Sequence, residues 1–162
     1  MSFRDRVAWD GETGAYHDGS IRYMFLRPDA LMGILHALPE AQRPAVLKAM
    51  ATSIRRAGGQ SARSYGAADA EALLSTIAET APQLGWGRWQ FVRPTATLLD
   101  LTVENSPFVG GYGPSDGPVC APIVGMLGAV AEMVFGADAH TEEVQCAATG
   151  TANCRFVAEV AL

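Results

Sequence analysis

Apolar and aromatic positions cluster at RVAW (6–9) and SIRYMFL (20–26), on either side of a polar run with Asp10, Gly11 and Gly14. That pattern predicts two strands about a turn. The period then lengthens. Leu31, Ile34, Leu35 and Leu38 repeat at helical spacing between Pro28–Asp29, suited to a first helical turn, and Pro39, which ends the repeat. Val46, Leu47, Met50 and Ile54 make the stripe of a second helix from Glu40 to Ala57, which Gly58–Gly59 is expected to stop. Leu73, Leu74 and Ile77 mark a third helix over residues 67–81.

The period then shortens. WGRWQFV (86–92) and TATLLDLTV (95–103) are rich in aromatic and β-branched residues and predict two strands joined through Arg93 and Pro94. The glycine- and proline-rich run from Glu104 to Pro118 is expected to be a loop of about fifteen residues, long enough to serve as a lid or pocket rim. Residues 119–135 are apolar almost all round, Glu132 being the one charge, which predicts a buried helix; Gly125 and Gly128 would let a backbone or a ligand approach it closely. HTEEVQCAA (140–148) and CRFVAEVAL (154–162) predict a closing hairpin about Gly150. The expected fold is a single α/β domain of the α+β type over residues 1–162: N-terminal helices packed on an antiparallel sheet, then a buried helix and a C-terminal hairpin.

Composition narrows the function classes. With 162 residues, 49% hydrophobic and 18% charged, the chain can bury a full core without disulfide staples. The net charge is −5 and Lys48 is the single lysine, so a cationic stripe for nucleic acid is excluded. Neither a leader peptide nor an apolar run of the roughly 18 residues needed for a membrane span is found, so a cytoplasmic location is expected. In a reducing compartment, three cysteines read as metal ligands or buried thiols before disulfides.

All three cysteines follow residue 119. A turn centred on Gly150 sets Cys146 opposite Cys154, with β-carbons about 4.5–5.5 Å apart, a spacing at which two thiolates can share one tetrahedral ion. It also comes near to permitting a disulfide. Cys120 stands at the start of the buried helix, where free N–H groups favour the thiolate that a metal requires. For a fourth ligand, His140 and Glu143 rank equally by spacing. Glu143 would point away from Cys146 on a regular strand, so it can serve only if that strand starts late or is bulged. Cysteines filling the core as small apolar residues remain the competing reading.

Catalytic templates fail. FVGGYGPSDG lacks a phosphate-loop lysine and dinucleotide spacing, no G-x-S-x-G elbow exists, and His17, His36 and His140 form no acid–base pair. Trp86, Trp89, Phe91, Phe108 and Tyr112 fall on the expected sheet and the long loop, where they would line an apolar cavity or simply pack the core. His36, near the apolar stripe of the first helix, is open to the same two readings.

The segment from Pro118 to Phe156 resembles the 4-vinyl reductase, or hydrocarbon-binding, domain family. The match rests on a Pro-Val-Cys opening a helix at Cys120, an E-x-x-C at Glu143 and Cys146, and a G-x-x-x-C-R-F from Gly150 through Cys154 to Phe156. The family includes sensory domains of phenol- and xylene-responsive activators and accessory proteins of bacteriochlorophyll synthesis. The resemblance implies a structural zinc held by Cys120, Glu143, Cys146 and Cys154, which moves the choice of fourth ligand to Glu143. It implies an α/β fold distantly similar to vesicle-tethering adaptor subunits, dimerisation through the N-terminal part, and an aromatic ligand in an internal pocket. The expected lining is Trp89, Phe91, Leu101, Val103, Phe108, Tyr112, Met126 and His36. The function it implies is that of a sensor or carrier for a small hydrophobic or aromatic molecule. A tetrapyrrole-synthesis accessory and a protein–protein adaptor are the alternatives. Without a phosphate loop, or room for a DNA-reading domain after Leu162, a complete activator is not expected.

Overall fold

A computed structural model describes residues 2–160. A short helix α1 (Phe3–Arg6) leads into an antiparallel meander of β1 (Ala8–Asp10), β2 (Ala15–Asp18) and β3 (Ile21–Tyr23). Helices α2 (Pro28–Ala37), α3 (Arg43–Ser64) and α4 (Ala70–Gln83) follow, with a 3-10 turn at Glu40–Gln42. Then come β4 (Arg88–Val92), β5 (Leu98–Glu104), α5 (Pro107–Tyr112), α6 (Ala121–Phe135), β6 (Ala139–Gln145) and β7 (Cys154–Val160). The last four strands form one antiparallel sheet in the order β4-β5-β7-β6. The fold is thus the mixed α+β type read from the sequence. Ala161 and Leu162, the end of the expected last strand, lie outside the described residues.

The central strands show why the sheet forms. Leu99, Leu101 and Val103 of β5, with Cys154, Phe156 and Ala158 of β7, alternate inward and are fully buried, as a sheet covered on one face requires. The open face carries charge: Arg155 pairs with Asp100 and Arg88 with Glu104 across neighbouring strands. On the covered face Ile123, Leu127 and Val130 of α6 pack into the core, and α3 packs on α6 from the other side. Asp69 caps α4 by accepting from the Ala72 N–H at 2.8 Å. Among the described residues no helix is long and apolar enough to cross a membrane.

Four expectations need correction. The N-terminal region holds three strands, because Gly14 and Gly19 at φ +65° and +60° each permit a tight turn and the run between them, AYHD, pairs on both sides. Met24, Phe25 and Leu26, expected in a strand, are instead exposed beyond it. Helix α3 runs through Gly58–Gly59. Both glycines are buried: a Cβ on Gly58 would meet Met126 Cε at 2.6 Å, and one on Gly59 would touch Ala129 at 3.4 Å, so they form a bearing surface for α6. Finally, the expected long loop contains α5, with Ser106 preceding Pro107 at its first turn.

The expectation that Gly125 permits close approach holds. A Cβ there would lie 2.2 Å from the Ala51 carbonyl oxygen, so the two helices cross nearly backbone to backbone. Gly125→Ala should therefore lower stability by about 3 kcal/mol through overpacking, roughly 6–12 °C in Tm for a chain of this size. Gly33→Ala, where a Cβ meets nothing within 4 Å, should raise it by up to about 1 kcal/mol. Urea denaturation of the two variants checks the contrast, and equal effects would contradict this view of the crossing.

Candidate metal centre and apolar cavity

Cys120 is the N-cap of α6, and Cys146 and Cys154 flank the turn of the β6–β7 hairpin. Up to Glu143, which pairs with Phe156, β6 is regular; then Gln145 pairs with Arg155, so Val144 is an extra residue in a bulge. That extra residue decides the site. It is expelled to the surface, and the alternation shifts by one, so Glu143 and Cys146 face the same side.

The result is a cluster in which one ligand atom from each of Cys120, Glu143, Cys146 and Cys154 lies within 4.8 Å of all the others. A regular tetrahedron of sulfurs at a zinc–sulfur distance of about 2.3 Å has edges of about 3.8 Å. Cys120 Sγ lies 3.8 Å from Cys154 Sγ, far outside a disulfide, and all three thiols are free and buried. Glu143 Oε2 accepts from the Cys120 N–H at 2.9 Å, whereas Oε1 is buried with no hydrogen-bond partner among the described residues. An unpartnered carboxylate oxygen beside three thiols is the donor set a zinc ion fits. His140 points away, exposed beside Glu142.

Two further groups support the sulfurs. Ser106, buried before α5, places its hydroxyl 3.2 Å from Cys120 Sγ, and the Ala147 N–H donates to Cys154 Sγ at 3.3 Å. Both can stabilise a thiolate by hydrogen bonding. Sequence reasoning missed Ser106; the Ser-Pro pair that opens α5 is the signal that could have found it.

Electrostatics in the cluster follow from crowding. Burial, with the Cys146 thiol second, pushes the Glu143 carboxyl up to about 8. Cys120 is pushed upward by its hydrogen bonds to Cys146 and Cys154, followed by burial. Those same contacts favour the thiolate of Cys146 and lower its pKa. Without a cation the cluster holds little negative charge, and it can ionise fully only when one is present.

A mostly apolar hollow lies elsewhere, between the N-terminal meander and the C-terminal half of α3. It has a volume of about 410 Å³. Phe3, Ile21 and Tyr23 line it from the N-terminal segment and Ile54, Gly58 and Tyr65 from α3 and its end; the half-buried Trp86 and Met126 also line it, with the exposed Met24 and Phe25. Among the described residues no charged side chain lines it. Burial holds the Tyr65 hydroxyl neutral, its pKa pushed up to about 12. Of the eight pocket residues expected from sequence, Met126 lines this cavity. Trp89, Leu101, Val103 and Phe108 are packed into the core, with Phe91 partly buried against Trp89. His36 stacks on the Tyr112 ring at 4.3 Å and donates from Nε2 to the Tyr112 carbonyl oxygen, outside the cavity.

A one-sided antiparallel sheet, a buried helix and a hairpin converging on three thiols and a carboxylate define an α+β domain with a built-in ligand cluster for a cation. Residues 99–160, from β5 to the end of β7, match the model of the V4R domain family, in line with the resemblance seen at Cys120, Glu143, Cys146 and Cys154. No curated protein matches the chain by sequence. Among solved structures, the phenol-responsive sensory domain of the transcription activator PoxR, with phenol, superposes with a TM-score of 0.79 at 16% identity, covering 96% of this chain and 85% of that one. A trafficking protein particle complex subunit 3 from Naegleria fowleri, covalently bound to palmitic acid, gives 0.59 at 11% identity over 83% and 95% of the two chains. A vinyl-4-reductase family protein from Methanocaldococcus jannaschii gives 0.50 at 15% identity over 88% and 100%. At these identities the likeness is one of fold.

Ser106→Ala should cost about 1 kcal/mol in urea denaturation, the usual worth of one buried hydrogen bond. An unchanged midpoint would show that the hydroxyl does not support Cys120.

Proposed function

We propose that this protein is a zinc-containing domain that binds a small hydrophobic or aromatic molecule, as a sensor or a carrier. The observation that carries the reading is the cavity: about 410 Å³, mostly apolar, with no charged side chain among its described lining residues, and with the neutral Tyr65 hydroxyl to orient a guest. That volume falls in the usual range for small-molecule sites, roughly 300–1,000 Å³. The phenol bound by the PoxR sensory domain, which shares the fold, supports the same class of ligand.

Cys120, Glu143, Cys146 and Cys154 would hold the zinc. With four protein ligands and no open position, its chemistry is structural: it ties the start of α6 to the β6–β7 hairpin. The exposed Trp9, Met24, Phe25 and Leu26 around the meander favour a homodimer formed through the N-terminal part. A cytoplasmic location completes the reading, since the reducing interior of a cell keeps the three thiols free for metal.

Native mass spectrometry of the protein as purified tests these points together. One zinc per chain, two chains per particle and a retained organic mass are expected at neutral pH. Metal binding must expel the protons that burial and crowding keep on Glu143, Cys120 and Cys154. Zinc affinity should therefore rise with pH, by more than about tenfold per unit between roughly pH 6 and 8, and acidification should strip the ion. Metal-free protein at pH 8, or retention independent of pH, would sink the zinc assignment.

A further inference from the structure

Where α6 meets α3, Gly58 and Met126 form part of the cavity wall. Helix α6 meets α3 at Gly125, Met126, Gly128 and Ala129 among other positions. Gly125 faces the Ala51 carbonyl and Gly128 faces the Arg55 side chain, so neither sends bulk toward α3. Met126, between them, does. Its thioether lies on the bare backbone of Gly58: a Cβ built there would be 2.6 Å from Cε and 2.9 Å from Sδ. Met126 also lines the cavity, so a group added at Gly58 would have to displace a methionine tip that is itself part of the cavity wall. Methionine is unbranched and adapts easily, which makes it suited to such a movable wall.

Size and charge define what the wall selects. A cavity of about 150 Å³ accommodates benzene, and this one, at about 410 Å³, offers well over twice that space. One ring would leave most of it unfilled and forfeit the contacts that hold an apolar guest. An ionised guest would have no counter-charge in the lining, a costly burial. The tyrosines Tyr23 and Tyr65, with Gln60 and Ser61, supply hydrogen bonds for a single hydroxyl or carbonyl on the guest.

We propose that the Met126–Gly58 contact sets the depth of the cavity and selects neutral guests of two or three fused rings over single-ring phenols. The inference rests on the cavity being the ligand site.

Calorimetric titration of the full chain as purified, with phenol, 2-naphthol and 9-phenanthrol, tests it. The wild type should bind 9-phenanthrol and 2-naphthol more tightly than phenol, by about tenfold, the scale of a small change in apolar contact. Gly58→Ala should weaken 9-phenanthrol by about tenfold and leave phenol nearly unchanged. Adding Met126→Ala to that variant should restore the larger guest. Met126→Ala alone, which leaves the helix crossing free of added bulk, should favour 9-phenanthrol further. Phenol bound most tightly by the wild type overturns the proposal. So does an equal weakening of all three guests in Gly58→Ala, or an unchanged order in Met126→Ala. Binding of none of the three overturns the ligand-site reading, and this inference with it.

Discussion

Three thiols and a carboxylate meet inside the core where the start of α6 touches the terminal hairpin, and the C-terminal half is arranged around that meeting. Buried together without a cation, such groups hold their protons: burial, with the Cys146 thiol second, drives Glu143 up to about 8, and hydrogen bonds to Cys146 and Cys154, followed by burial, drive Cys120 upward. The same crowding becomes an attraction once a divalent ion is shared. The helix supplies Cys120 at its N-cap, and the hairpin supplies the rest only because Val144 is squeezed out of β6. A single extra residue therefore decides whether Glu143 faces the thiols or the solvent.

The second constraint is the crossing of α3 and α6. Glycines on both helices remove the side chains that would hold them apart, so α6 can be sandwiched between sheet and helix while remaining apolar on almost every side. The same close approach leaves the far end of α3 leaning over the N-terminal meander, and the gap between them is the cavity. The thiol–carboxylate cluster and the cavity thus share one helix: Cys120 is the N-cap of α6 and Met126 sits less than two turns further on.

Much of this was legible in the sequence, and the failures have physical reasons. The buried helix, the alternating strands of the sheet and the hairpin stood out because burial on one or both faces writes a strong period into Leu99, Leu101, Val103 and their partners. The three cysteines could be named because ligand chemistry restricts residue type, whereas Glu143 was preferred to His140 only through the family resemblance. Gly58–Gly59 misled, since a glycine pair looks the same whether it ends a helix or gives a neighbouring helix room, and only the neighbour tells the two apart. The bulge at Val144 could be stated as a condition but not located, as no residue type marks it. The cavity was displaced for a related reason: aromatic residues such as Trp89 and Phe108 serve a core as readily as a pocket. Residues that line the hollow, such as Ile21, Tyr23 and Ile54, come from elements far apart in the chain.

The central claim is that Glu143 and the three cysteines form one zinc site. X-ray absorption at the zinc edge of the purified protein tests it most directly. The account predicts three sulfurs at about 2.3 Å and one oxygen at about 2.0–2.2 Å. A histidine nitrogen in place of the oxygen, fewer than three sulfurs, or fully folded protein containing no zinc would contradict it.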